Sequence, residues 1–337
     1  MANVFPFEPR CLPLAPFDLP YSDEASGWQA QRRWTPRFMS LPFTGADATL
    51  QLAASGFPGR GTGNYIEDDE FERVLEHHQL AYLNDDVHHA SVPNFERLLE
   101  RAPWRQEDVP TVQMAIVGVY GAISTGLLLV DEQERPLFAS AAGREAIQQH
   151  SYLRLRWLEH TLTNVVSHFG LCIVEPFWDA TDLPFANYSS DEALDVIRDM
   201  SRIINVPLGL APRGTVNWMQ LLASPLRLLI CPLAQWQSVL ECGKLVNEYF
   251  DRGGVIAWSF VPSDPEQLTS CDVNAILRDW EHLLNVALEY DVLNSKILNG
   301  SLLTIEAGLG YQTPQVADQA LDLLSHTSHK IRLKYKV

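Results

Sequence analysis

From about residue 112 to the C-terminus the chain repeats one unit. A short apolar run is followed by a break on proline, glycine or a polar residue, and then by a stretch whose apolar side chains recur at helical spacing. Strand candidates fall at 112–119, 171–176, 207–210, 226–231, 254–260 and Ser301–Ile305. Helical patterns fall at 145–168, 235–251, 272–290 and 314–331, and a capping-box sequence Ser189-Ser190-Asp191-Glu192 precedes Leu194, Ile197, Met200 and Ile204 on one face. Continuously apolar strands suit a parallel sheet covered on both faces. This alternation predicts an α/β fold, and its length favours a closed (β/α)8 TIM barrel over an open doubly wound sheet. No G-x-G-x-x-G follows a first strand, as the open nucleotide-binding sheet would require.

The clearest junction is Ser301 to Tyr311, an apolar run that ends on Gly308 and Gly310, after which Thr313 and Pro314 start a helix as N-cap and first helical residue. In a barrel such turns gather at one mouth, where ligands bind. Upstream, residues 1–64 are rich in proline, glycine and aromatic residues, which excludes long helices; they are expected to form an irregular N-terminal segment of loops and short strands capping a barrel of 65–337, a single domain overall. A helix is expected over 67–78, where Glu67-Asp68-Asp69-Glu70 suits the positive end of its dipole.

Charge narrows the partners. Of the 337 residues 42 are acidic and 25 basic, a formal charge of −17, which disfavours nucleic acid and anionic membrane surfaces. The basic run 329–336 reads as a solvated tail. Five cysteines without C-x-x-C spacing suit free thiols, and the chain opens with no signal-peptide pattern, so a cytoplasmic protein is expected. His77-His78 and His88-His89 with Asp85 and Asp86 invite a metal reading, but adjacent histidines point in different directions, and no metal is expected there.

The strand ends supply the candidate site residues. Glu175, after an apolar run and before Pro176, is a candidate catalytic base or amine holder; a strand-end cap or ion-pair partner is the other reading. Arg213, before Gly214, offers a forked donor to a carboxylate or phosphate, or is a loop arginine. Cys231 is a reactive thiol or an inert buried one. Trp218, Trp236 and Trp258 can stack on a planar ligand or pack the core.

Seven motifs in order then resemble the catalytic barrel of cobalamin-independent methionine synthase, in the short single-barrel form within the uroporphyrinogen decarboxylase-like superfamily. Cys11-Leu12-Pro13 resembles that family's G-S-hydrophobic-P, and Trp34 to Pro42 with Gly56-Phe57-Pro58-Gly59 resembles W-P-Q-L-P and G-L-P-G. Val117-Gly118-Val119 to Ser124-Thr125 is similar to a G-P-x-T strand end, and Val174-Glu175-Pro176 to D-E-P. Gly209 to Trp218 resembles G-L-H-x-C-G-N-x-D-W, Gly253 to Pro262 resembles G-G-x-I-A-W-G-I-V-P, and Glu306 to Gly310 resembles P-x-C-G-L-G.

The resemblance implies a zinc ion that activates homocysteine for methylation by a methylfolate. Its ligand positions fall here on Ala211, Arg213, Cys231 and Ala307, where alanine cannot ligate and arginine repels a cation. The resemblance therefore implies a degenerate zinc site, no expected cofactor and no statement about folate. It leaves substrate binding to Cys11, Glu175, Arg213, Trp258 and Ala307, with a small molecule or a protein as partner. Loss of zinc-dependent methyl transfer is the leading expectation. An active methyltransferase, or a metal-independent enzyme such as a decarboxylase-like one using Arg213, Glu175 and Arg60, is the alternative.

Overall fold

The computed structural model describes residues 5–41, 43–44, 48–61, 63–93, 95–100, 102, 114–182 and 188–337. Eight parallel strands form the central sheet: β1 (Leu12–Pro13), β2 (Phe38–Ser40), β3 (Met114–Tyr120), β4 (Phe169–Glu175), β5 (Leu208–Pro212), β6 (Leu228–Cys231), β7 (Val255–Val261) and β8 (Ser301–Ile305). Each strand from β2 to β7 pairs with the next in the chain, and β8 pairs with β1 through Leu12↔Leu302. A single parallel bridge between Leu14 and Phe38 joins the two ends of the sheet, and helices surround it. The fold is an α/β TIM barrel.

Side-chain alternation divides the core in two. Leu12, Leu14, Phe38, Met114, Ile116, Cys172, Leu228, Val255, Ala257 and Leu302 form one cluster that fills the barrel. Their alternates, among them Val117, Ile173, Leu229, Ile256 and Leu303, pack outward against the helices. Phe17 plugs the interior by lying on Gly118, where a Cβ would come within 2.3 Å of its ring.

The expected strands appear with shifts of at most two residues at their ends; Val112 and Gln113, placed in the first of them, lie outside the described residues. The N-terminal expectation needs revision. Residues 1–64 supply two of the eight strands, β1 and β2, as well as helices Glu24–Trp34 and Ala48–Ala54 and a small parallel pair, Asp18–Leu19 with Phe43–Thr44. Strands of two and three residues are too short to show a hydrophobic period, so they read as loop.

The helix expected over 235–251 is two, Trp236–Leu240 and Lys244–Asp251, broken where Gly243 takes φ 40°. The helix expected over 145–168 runs Ala141–Thr163, because the Ser140 side chain caps it by accepting from the Gly143 amide at 2.9 Å. The basic run at the C-terminus is no loose tail: helix Pro314–Tyr335 continues through it and buries Ile331.

Candidate functional site

The mouth lies at the carboxyl ends of the strands, and sequence parity decides what faces it. On β5, Ala211 points inward with the barrel-filling residues, and Arg213, one residue past the strand end, is exposed. Ala307 sits half-buried on the turn after β8. That turn wraps Asp18. The Leu309 amide donates to the Asp18 carbonyl and the Gly310 amide to its Oδ2, both at 3.3 Å, and a Cβ on Gly308 would come within 2.0 Å of Oδ1. Burial raises the Asp18 carboxyl above the usual carboxylate range, against the pull of the Gly310 and Leu309 amides and the charge of Arg213. Arg213 is thus near enough to feel Asp18, yet among the described residues neither side chain forms an ion pair.

The loop that carries Arg213 is pinned from two sides. Asp179, past the end of β4, accepts from the Thr215 amide, and Gln235 donates to the Gly214 carbonyl while accepting from Trp218 Nε1 at 2.8 Å. Asp18 and Asp179 were not foreseen. Asp18 follows a strand of two residues, so nothing in its neighbourhood marks it as a strand-end residue, and Asp179 lies in a short 3-10 turn.

Four residues expected at the mouth are elsewhere. Glu175 belongs with Leu171 and Ile173 on the outer face of β4 and turns into the helical layer. There its carboxylate, 2 % exposed, accepts from the Ile123 amide at 3.2 Å, the Ser124 amide at 2.9 Å and Ser124 Oγ at 2.6 Å, so it caps helix Ala122–Leu128. Burial pushes its pKa up to about 7, with those three donors holding it back from rising further. The capping reading of Glu175 is the one its geometry matches.

Cys231 alternates with inward Ile230 and packs outward; burial raises its thiol well above the usual range, which suits an inert cysteine. Trp258 is wholly buried in the helical layer and donates through Nε1 to Ser301 Oγ at 2.8 Å. Cys11 precedes β1, at the amino end of the barrel, where it is buried, takes φ 56° and bonds the Leu298 carbonyl. Burial raises its thiol too. In each case a one-residue parity, or the end of the strand on which the residue falls, turns it away from the mouth.

The histidine pairs do meet in space, though not as drawn from sequence. His78 and His89 share a 3.0 Å contact between Nδ1 and Nε2, and His78 Nε2 lies 3.2 Å from the Ala146 carbonyl. Burial pushes His78 down to about 4, so this is a neutral, packed pair. Among the described residues, no group of three or more His, Cys, Asp or Glu side chains is arranged to hold a metal ion, and no helix is long and apolar enough to cross a membrane.

Comparison with known proteins adds the fold's context. No family model and no curated protein matches the sequence. Among solved structures, a methyltransferase from Methanosarcina mazei superposes over 97% of this chain and 95% of that chain, with a TM-score of 0.52 and 12% sequence identity. A B12-independent methionine synthase from Shewanella sp. W3-18-1, in complex with selenomethionine, matches over 66% of this chain with a TM-score of 0.46 and 11% identity, and the present chain spans 64% of its length. At such identities the whole-chain superposition speaks for a shared barrel fold and leaves the chemistry to the site.

Proposed function

We propose that this barrel is methionine-synthase-like in shape, lacks zinc-dependent methyl transfer, and binds at its mouth a small zwitterion of the amino-acid class. The observation that carries the reading is that Asp18, held by the turn after β8, and the exposed Arg213 lie near each other at the mouth without an ion pair. A carboxylate and a guanidinium of opposite charge stand within electrostatic reach and are not joined to each other, so one can take an ammonium group and the other a carboxylate. Zinc does not fit what stands at the implied ligand positions. Ala211 and Ala307 have no donor atom, Arg213 is a cation, and Cys231 faces away. Without a metal, a substrate thiol near its ordinary pKa would stay mostly protonated at neutral pH, so binding without transfer is the simpler outcome. A cytoplasmic location is in keeping with five free cysteines.

The test joins elemental analysis of untagged protein to calorimetric titration with homocysteine and methionine. The expected result is substoichiometric zinc, no methyl transfer from a methylfolate, and saturable amino-acid binding that falls about tenfold or more in both Arg213→Ala and Asp18→Asn, since each removes a charge-assisted hydrogen bond. One zinc per chain with turnover would overturn the metal-free reading. Binding indifferent to both substitutions would overturn the site.

A further inference from the structure

A second place in the molecule gathers charge that its own residues do not balance. At the amino end of the barrel, opposite the mouth, a cleft of about 250 Å³ is bordered by Phe7, Glu8, Arg10, Leu12, Arg37 and Arg332. Three elements bring the arginines there. Arg10 precedes β1, Arg37 directly precedes β2, and Arg332 lies in the last turn of helix Pro314–Tyr335. Their backbones are fixed by the barrel. The Arg10 amide donates to the Asn299 carbonyl at 3.1 Å, and the Arg37 carbonyl accepts from the Met114 amide at 3.1 Å. Ser328, which donates to the Cys11 carbonyl at 2.7 Å, stands four residues before Arg332 and so on the same face of its helix.

The three cations converge. Burial, then the charges of Arg37 and Arg10, lower the pKa of Arg332, so its guanidinium feels both of the others. Its Nε is buried without a hydrogen-bond partner. Among the described residues neither Arg37 nor Arg332 forms an ion pair. Glu8 is the one carboxylate on the cleft, and it accepts from Arg10 Nε at 3.1 Å and Nη2 at 2.9 Å. The cleft therefore carries three positive charges against one negative, in a chain whose formal charge is −17. Like charges brought together repel, and an anion among them relieves the repulsion. A last-turn arginine suits the negative end of its helix, but that accounts for Arg332 alone. Arg10 is moreover held at a backbone cost, since its φ of 51° lies in the left-handed region that favours glycine.

From this geometry we infer that the cleft binds a phosphoryl dianion, as free phosphate or as the head of a small phosphate monoester, among Arg10, Arg37 and Arg332. One guanidinium fork satisfies a planar carboxylate, whereas a phosphoryl group turns oxygens toward several forks at once. Its two charges match the net charge of the cleft, and they sit on one centre, as mutually close cations require. The volume is many times the space one water needs, so the group has room. Glu8 is exposed and competes with the ligand for Arg10. The inference is independent of the amino-acid reading of the mouth, since the two sites lie at opposite ends of the barrel and share no side chain.

Calorimetric titration of the full chain with inorganic phosphate and with phenyl phosphate, in mildly alkaline chloride buffer of constant ionic strength, tests it. One saturable site per chain is expected, displaced by neither acetate nor succinate at the same concentration. An ester bound more tightly than phosphate assigns the site to a monoester whose body rests on Phe7 and Leu12; otherwise the site belongs to the free ion. Arg37→Ala and Arg332→Met should each weaken binding about tenfold or more, the loss expected when a charge-assisted hydrogen bond is removed. Glu8→Gln should strengthen it several-fold, because the one negative charge on the cleft is gone. Amino-acid binding at the mouth should be unchanged in all three. Arg37 and Glu8 are exposed, so their substitution spares the core, and they carry the test if Arg332→Met fails to fold. Absence of saturable phosphate binding, displacement by acetate or succinate, or an affinity indifferent to Arg37→Ala and Glu8→Gln would overturn the proposal.

Discussion

At the scale of single residues, the side a side chain faces governs its chemistry more than its type does. Glu175 ends an apolar strand before a proline, and the sequence leaves base and cap equally open; the face of β4 it occupies turns it to the start of helix Ala122–Leu128, and that depends on register, which no local motif encodes. Its titration is open to measurement. The fold holds the carboxyl at about 7, above its ordinary value of 4.5, so the folded state prefers the proton. Stability from this group is therefore fully present below about pH 4.5 and is lost as pH rises through about 7, a cost of roughly 3 kcal/mol to the ionised fold. Urea denaturation across that range should show the wild type losing stability relative to Glu175→Gln, which has no proton to release. Whatever constant offset the amide introduces, parallel profiles would refute the assignment. Arg213, by contrast, was legible as a mouth residue because it follows a strand of five residues and precedes a glycine. Asp18, near it at the mouth, was hidden, since the strand before it is only two residues long.

At the scale of elements, long units declared themselves and short ones did not. The capping box at Ser189 and Glu192, the N-cap at Thr313 and the continuous apolar strands are local signals, and the structure has all of them where they were read. The short helix Ala122–Leu128 depends instead on a distant residue, because its first amides are satisfied by Glu175 across the β3–β4 pair. Gly121 makes room for this. Its φ of −77° suits any residue, but a Cβ there would stand 2.0 Å from Glu175 Oε1 and 2.6 Å from Ile173 Cγ2. Gly121→Ala should therefore destabilise the protein by about 2–4 kcal/mol through crowding, as measured by urea unfolding. Because the closer of the two clashes is with Glu175, adding Glu175→Ser should recover part of the loss, so the two substitutions should be clearly non-additive. Additive costs would mean that the helix start does not rest on this contact.

At the scale of the whole molecule, the barrel class followed from the repeated strand and helix units, while the membership of the barrel did not. The first 64 residues read as a cap, yet they contribute two staves and the seam between Leu14 and Phe38. Side chains hold the first segment in place: Ser40 Oγ donates across that seam to the Pro16 carbonyl at 2.7 Å, while Thr304 Oγ1 of β8 donates to the Leu14 carbonyl at 3.0 Å and Ser328 Oγ of the last helix to the Cys11 carbonyl at 2.7 Å. Removal of residues 1–17 should then abolish the cooperative thermal transition in calorimetry and leave a partly folded chain by circular dichroism. A truncated protein that melts cooperatively near the parent temperature would show that the segment is an accessory after all.

The pairing of β1 with β8 also orders events during synthesis. Leu14 and Thr304 are bonded across 290 positions, so the first strand of the barrel must wait for the eighth before its outer edge is covered. Until then the nascent sheet has two bare edges, and the loop that joins them is close to the longest this chain can form. Such a sheet is exposed to misassembly until its eighth strand has been made.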